Sequence, residues 1–152
     1  MDFGFSLGKS REVQPLQLLR RLVTRGLEVS AVDRQTHRGG DVEVQVTISK
    51  PGKLGDVEVG IVCTEHYDEL ETVRDTDGST TPYRTTSSDV VHETWSPVEP
   101  GSGAKTRRFT IPPDAPFSYS GECLSFKWEV AALGHRSGRL DAEARSEFFV
   151  RP

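Results

Sequence analysis

The stretch Asp41-Val-Glu-Val-Gln-Val-Thr-Ile48 alternates without a break, with Val42, Val44, Val46 and Ile48 at every second position and Asp41, Glu43, Gln45 and Thr47 between them. Successive side chains of an extended chain point to opposite faces, so this spacing gathers four apolar groups on one side and predicts a half-buried β-strand. Leu27, Val29 and Ala31 keep the same rhythm through residues 27–32, and His37, Arg38, Gly39 and Gly40 supply a turn into the next strand. The two segments are expected to pair or to lie side by side.

Further along, Val57, Val59, Ile61 and Cys63 form a third alternating set, bounded by Pro51, Gly52 and Gly55 before it and by polar sequence from Glu65. Residues 65–88 are acidic, then rich in Thr and Ser, with Asp77, Gly78 and Pro82 as turn signals, and are expected to form a long loop or a loosely ordered hairpin. Residues 90–98, around Trp95, and residues 105–111, with Phe109, read as a hairpin turning through Pro97, Pro100, Gly101 and Gly103. Pro112, Pro113 and Pro116 interrupt the sheet before Leu124, Phe126, Trp128 and Val130 resume it. Residues 140–144 and 147–150 close the chain, and Trp95 and Trp128 are expected in or near the core. The fold class is all-β, an immunoglobulin-like sandwich over residues 27–152. Residues 1–26 form an N-terminal arm, in which Leu18, Leu19, Leu22 and Val23 suggest a short helix over 13–24 that packs on its own domain, on another subunit or on a surface, with an irregular edge strand as the alternative.

With 152 residues the chain matches one domain that can bury a core without disulfides, and 14 Gly with 9 Pro suit short strands and turns. The net charge of -4 is uneven: residues 9–40 sum to +4 and residues 41–99 to -9. An acidic centre of this kind argues against a nucleic-acid partner. No apolar run reaches the roughly 18 residues of a membrane helix. The opening Met1 to Ser10 lacks the pattern of a secretory signal, so a cytoplasmic protein without a transmembrane segment is expected. In a reducing compartment Cys63 and Cys123 are expected to be free, small, buried apolar residues.

The chemical motifs fail on spacing. Gly4 to Ser10 approaches a phosphate loop but lacks one residue between its glycines and a strand before them. Asp75, Asp77 and Gly78 hint at a calcium loop, yet its glycine falls at the fourth position and Thr86 stands where a Glu is needed. His37, His66, His92 and His135 sit in four separate segments with no Cys at ligand spacing. Cys63, Trp95 and Cys123 are spaced wrongly for the immunoglobulin trio. The expectation is therefore a protein that is not an enzyme, with no cofactor and no metal. Its candidate partner-binding residues are Glu65, Asp68, Glu69, Glu71, Asp75 and Asp77, set against the basic segment 9–38 with Arg20, Arg21 and Arg25. The charges suit a protein partner or a homo-oligomer in which the arm of one copy meets the acidic segment of another.

The stretch Phe109-Thr-Ile-Pro-Pro-Asp-Ala-Pro-Phe-Ser-Tyr-Ser-Gly121, followed by Leu124-Ser-Phe-Lys-Trp-Glu-Val130, resembles the strand, proline break and return strand of the arrestin-like superfamily. That group contains arrestins, the cargo-adaptor subunit of retromer and bacterial sporulation-control proteins. The early Arg38-Gly-Gly-Asp-Val-Glu-Val-Gln-Val46 and the ending Arg139-Leu-Asp-Ala142 to Phe149-Val150 are similar to its layout. The resemblance runs from Leu27 to the end as a single sandwich, whereas arrestins have two. It implies a non-enzymatic, arrestin-like scaffold, regulatory in a bacterial cell, that offers sheet edges and loops to protein partners, and it transfers no catalytic residue. The alternatives are a ligand- or carbohydrate-binding sandwich and, behind it, a hydrolase built on the same sheets.

Overall fold

In the computed structural model, which describes residues 26–136 and 141–152, the alternating segments become strands. They are β1 (Leu27–Ala31), β2 (Gln35–His37), β3 (Asp41–Ile48), β4 (Val57–Arg74), β5 (Thr80–Pro97), β6 (Gly103–Thr110), β7 (Tyr119–Ser120), β8 (Leu124–Gly134) and β9 (Ala142–Arg151). The N-terminal arm with its expected helix lies outside the described residues. No helix among the described residues is long and apolar enough to cross a membrane.

Two sheets face each other. The first runs β1-β3-β6 and the second β2-β9-β8-β4-β5, with β7 added against β8. The expected pairing of β1 with β3 is present, with Leu27 opposite Ile48 and Ala31 opposite Val44. Between them the chain crosses to the second sheet, where β2 lies parallel to β9. The four apolar residues of β3 point inward, and Val44 and Val46 are fully shielded from solvent. They meet Val59, Ile61 and Cys63 of β4, Trp128, Val130 and Ala132 of β8, and Phe148 and Val150 of β9. Full burial of each such Val, Ile or Phe side chain contributes about 1.5–3 kcal/mol.

Trp128 shows why the proline break precedes β8. A wholly buried indole must place its N–H on an acceptor. The segment after Ile111 turns through Pro112 and Pro116 so that the Pro116 carbonyl accepts from Trp128 Nε1 at 2.9 Å. Phe148 and His92 pack on the same indole, with ring centroids 5.9 and 5.6 Å away.

Four expectations need correction. Residues 65–88 are not a loop, because β4 and β5 continue through them as one regular antiparallel ladder. Residues 90–98 and 105–111 do not form a hairpin: β5 is paired along its length with β4, while β6 pairs with β3 in the other sheet. Buried Val98 donates its N–H to Val57, and Gly101 and Gly103, at φ +110° and +111°, let the chain cross from sheet to sheet. Trp95 is half-buried on the outer face of the second sheet, over Gly60, where an added methyl group would stand 2.8 Å from the indole. Cys63 is buried as expected, but Cys123 is exposed, and both thiols are free.

Candidate functional site: the β4–β5 ribbon

β8 accompanies β4 as far as the pair Tyr67–Leu124, and Asp68 N–H still reaches the Cys123 carbonyl at 3.0 Å. Beyond that point, among the described residues, 68–74 pair only with 80–86. At about 3.3 Å per residue these seven pairs extend roughly 23 Å as a two-stranded ribbon. The change of character falls at a β-bulge: Cys63 faces His92 and Thr64 faces Val90, leaving Val91 as the extra residue. Before the bulge β4 is buried at Val57 and from Val59 through Cys63, with Glu58 half-buried, and after it the strand opens progressively to solvent.

The ladder assigns the sequence-predicted acids to faces. Alternation from the core residues Ile61 and Cys63 puts Glu65, Tyr67, Glu69, Glu71 and Val73 on the inner face. Their partners Asp89, Ser87, Thr85, Tyr83 and Thr81 share it. Asp68 lies on the outer face with Leu70, Thr86 and Arg84. The structure thus brings together Glu65, Glu69 and Glu71, separates Asp68 from them, and places Asp75 and Asp77 in the turn that joins the strands. Arg20, Arg21 and Arg25 lie outside the described residues. Residues 64–91 hold seven carboxylates against Arg74 and Arg84, a net of -5.

Hydrogen bonds fix this acidic face. Tyr67 donates to Asp89 Oδ2 at 2.8 Å, Tyr83 to Glu71 Oε2 at 2.6 Å, and Ser87 to Glu69 Oε2 at 3.2 Å. The bond to Asp89 pushes the Tyr67 phenol above its ordinary range, and the bond to Glu71 does the same for Tyr83. At the turn Ser79 Oγ donates to Asp77 at 2.6 Å and Asp75 at 3.1 Å, while Gly78 adopts φ +87°. The Ser79 hydroxyl and amide hold the Asp77 carboxyl below the usual carboxylate range. On the outer face Thr86 donates to Asp68 at 3.0 Å, and Arg84 stands 3.9 Å from the same carboxylate.

Sequence reasoning passed over Asp89, Tyr67 and Tyr83. Their partnership depends on the cross-strand register, which the bulge resets. The usable signal was the density of Thr, Tyr and Val in residues 80–91, a composition that favours strand over loop.

A second feature lies on the outer face of the second sheet, where β7 pairs with β8. Exposed Tyr119 and Phe149, with Phe126, border a cleft of about 370 Å³ whose polar lining includes His66, Lys127 and Glu147. Tyr119 and Phe126 also border a neighbouring cleft of about 430 Å³. There the Arg38 guanidinium lies 5.2 Å from the centre of the Phe117 ring.

The architecture is an all-β sandwich of two packed sheets, extended by one long ribbon. Among solved structures the chain is similar to Spo0M, a sporulation control protein from Bacillus subtilis, with 18% sequence identity and a TM-score of 0.47. The match covers 83% of this chain and 49% of that one, so the chain spans about half of Spo0M's length. No family model and no curated protein sequence matches the chain.

Proposed function

We propose that this chain is a non-enzymatic protein-binding module, a scaffold of the arrestin-like kind, whose β4–β5 ribbon takes a basic protein partner. The observation that carries the reading is the gathering of Glu65, Glu69, Glu71 and Asp89 on one face of β4 and β5, from the last part of the sheet that β8 still flanks, at Glu65 and Asp89, out onto the two-stranded ribbon, at Glu69 and Glu71. Side chains on one face of a strand repeat at about 6.6 Å, so Glu69 and Glu71 match Lys or Arg at every second position of an extended basic segment. Their field would steer such a partner from a distance, and salt would weaken the encounter. A cytoplasmic, regulatory role for capture without bond making belongs to the same reading.

The test compares the wild type with a variant carrying Glu65→Gln, Glu69→Gln, Glu71→Gln and Asp89→Asn. Calorimetry with a peptide of alternating lysine and threonine should show roughly tenfold weaker binding for the variant at low salt, about four exposed ion pairs' worth. The difference should vanish at high salt. Equal affinities at low salt would refute the reading. Neutralising Glu28, Glu43, Glu122 and Glu147 instead controls for net charge and should leave binding intact.

A second reading, a carbohydrate-binding sandwich, draws on the cleft beside Tyr119 and Phe149. Aromatic faces there could stack on sugar rings while His66, Lys127 and Glu147 meet hydroxyls. Chemical-shift changes at these residues on adding oligosaccharides, abolished by Phe149→Ala, would favour it over the first.

A further inference from the structure

We propose that two copies of this chain pair through their β5 edges, antiparallel about a two-fold axis at Ser88, so that their second sheets join into one. This goes beyond the reading of the acidic face, which it leaves open.

β5 is the outermost strand of the second sheet, and among the described residues no strand pairs with its far side. The backbone directions along that edge follow from two hydrogen bonds. Val57 accepts from Val98 at 3.0 Å, so odd-numbered residues of β4 turn their backbone groups toward β5. Asp68 turns the other way, to Cys123. The β5 residues opposite even-numbered β4 residues therefore direct their N–H and C=O to the free edge. These are Pro82, Arg84, Thr86, Ser88 and Val90 before the bulge and Glu93, Trp95 and Pro97 after it, all with side chains on the outer face. Pro82 stands at such a position, where its missing N–H leaves no donor lost from the β4–β5 ladder.

A second copy can add to this edge only in registers that keep outer residues opposite outer residues, because a slip by one turns every side chain over. Within β5 Arg84 is the sole cation, and Glu93 is the sole carboxylate on the outer face. One such register sets them opposite each other, and it places Ser88 opposite Ser88 of the second copy. Thr86 then faces Val90 and, past the bulge residue Val91, Arg84 faces Glu93 and Pro82 faces Trp95. By symmetry each pairing occurs twice. Opposite charges directly across an antiparallel pair stabilise it and like charges do the reverse.

The side chains are available for this contact. Among the described residues Arg84 has only the long contact with Asp68 and exposed Glu93 makes no ion pair, and Val90 is 55% exposed. The half-buried Trp95 ring gains Pro82 of the second copy. Each ribbon, otherwise standing in solvent, lies along the sandwich portion of the other copy's β5. The occupant is thus a second copy, chosen by the charge complementarity of one register.

Sedimentation of the full chain over a roughly hundredfold range of concentration should show a monomer–dimer equilibrium. Arg84→Glu and Glu93→Arg should each weaken it roughly tenfold or more, since each sets two like-charge pairs across the axis. Combining them restores opposite charges and should restore the dimer. Monomers at every concentration, a dimer indifferent to either single change, or failure of the double variant to recover would each overturn the proposal. An independent arm places Ser88→Cys in a Cys123→Ser background. Cα atoms of a hydrogen-bonded antiparallel pair lie about 5.5 Å apart, within the span of a disulfide. Mild oxidation should link two chains, and a chain that stays unlinked counts against the axis. None of these changes touches the acidic face, so measuring lysine-peptide binding alongside separates failure of this dimer from failure of the proposed function.

Discussion

Residues 57–63 and 64–74 belong to one strand and pair with one partner, yet they are held by different forces. In the first part Val59, Ile61 and Cys63 are fully buried, and hydrophobic packing between two sheets fixes their positions. In the second part Leu70 is 73% exposed and Val73 46%, and the strand keeps its shape through the ladder and through cross-strand bonds such as Tyr83 to Glu71. A two-stranded ribbon is marginal alone, so the outer part borrows its order from the buried part through continuous pairing. The bulge at Val91 is the boundary. Apolar alternation reports burial, and a strand can run well past the point where burial ends.

That contrast can be broken by making one substitution in both parts. Ile61→Asp should destabilise the protein by about 4 kcal/mol or prevent folding, because a carboxylate would sit unpaired in the core. A near wild-type urea midpoint would contradict the packing described. Gly60→Ala probes the same part more gently: its methyl group would press on the Thr94 carbonyl oxygen and stand 2.8 Å from the Trp95 ring. A loss of about 2 kcal/mol is expected from such overpacking, read by thermal melting.

Cys63 sharpens the comparison through pH. Burial, with a smaller effect from Glu65, pushes its thiol up to about 12 from the ordinary 9.0. The unfolded chain can form the thiolate above about pH 9 while the folded chain cannot. Stability from this group is therefore complete below that pH and declines between about 9 and 12. The difference in urea midpoint between the wild type and Cys63→Ala should narrow across this range, and a constant difference would show that the thiol is not held neutral. Exposed Cys123 should alkylate at once, with Cys63 following only in denaturant. The smallest effect is expected for Leu70→Asp, within about 0.5 kcal/mol. A large loss there would mean that the ribbon carries buried surface in solution.

The legible parts of this fold are those where one face is apolar. β3, β1, the first half of β4 and the centre of β8 show in the sequence because Val44, Leu27, Ile61 and Trp128 repeat with a period of two against polar neighbours. The ribbon hides for the converse reason: residues 65–88 are polar on both faces, so alternation leaves no mark. Trp95 misleads because the extra residue Val91 shifts the phase of β5 and turns the indole outward. The β5–β6 hairpin fails because turn residues report where the chain bends, while a partner is decided by which strand already occupies the edge. Of the candidate site, the six acids are found together on one ribbon, but their division between faces, and the presence of Asp89 among them, depends on register.

The parallel clasp between β2 and β9 bears on how the chain reaches this state. Gln35 pairs with Phe149, 114 positions later (149 minus 35), and Arg38 N–H donates to the Arg151 carbonyl. β9 also delivers Phe148 and Val150 to the core. A chain emerging from the ribosome therefore cannot close its second sheet until β9 has appeared, and until then the apolar faces of β3, β4 and β8 wait without their final cover. Closing so distant a contact carries a large entropic barrier, which places this protein among the slow folders and makes the interval before β9 emerges its period of greatest exposure to aggregation.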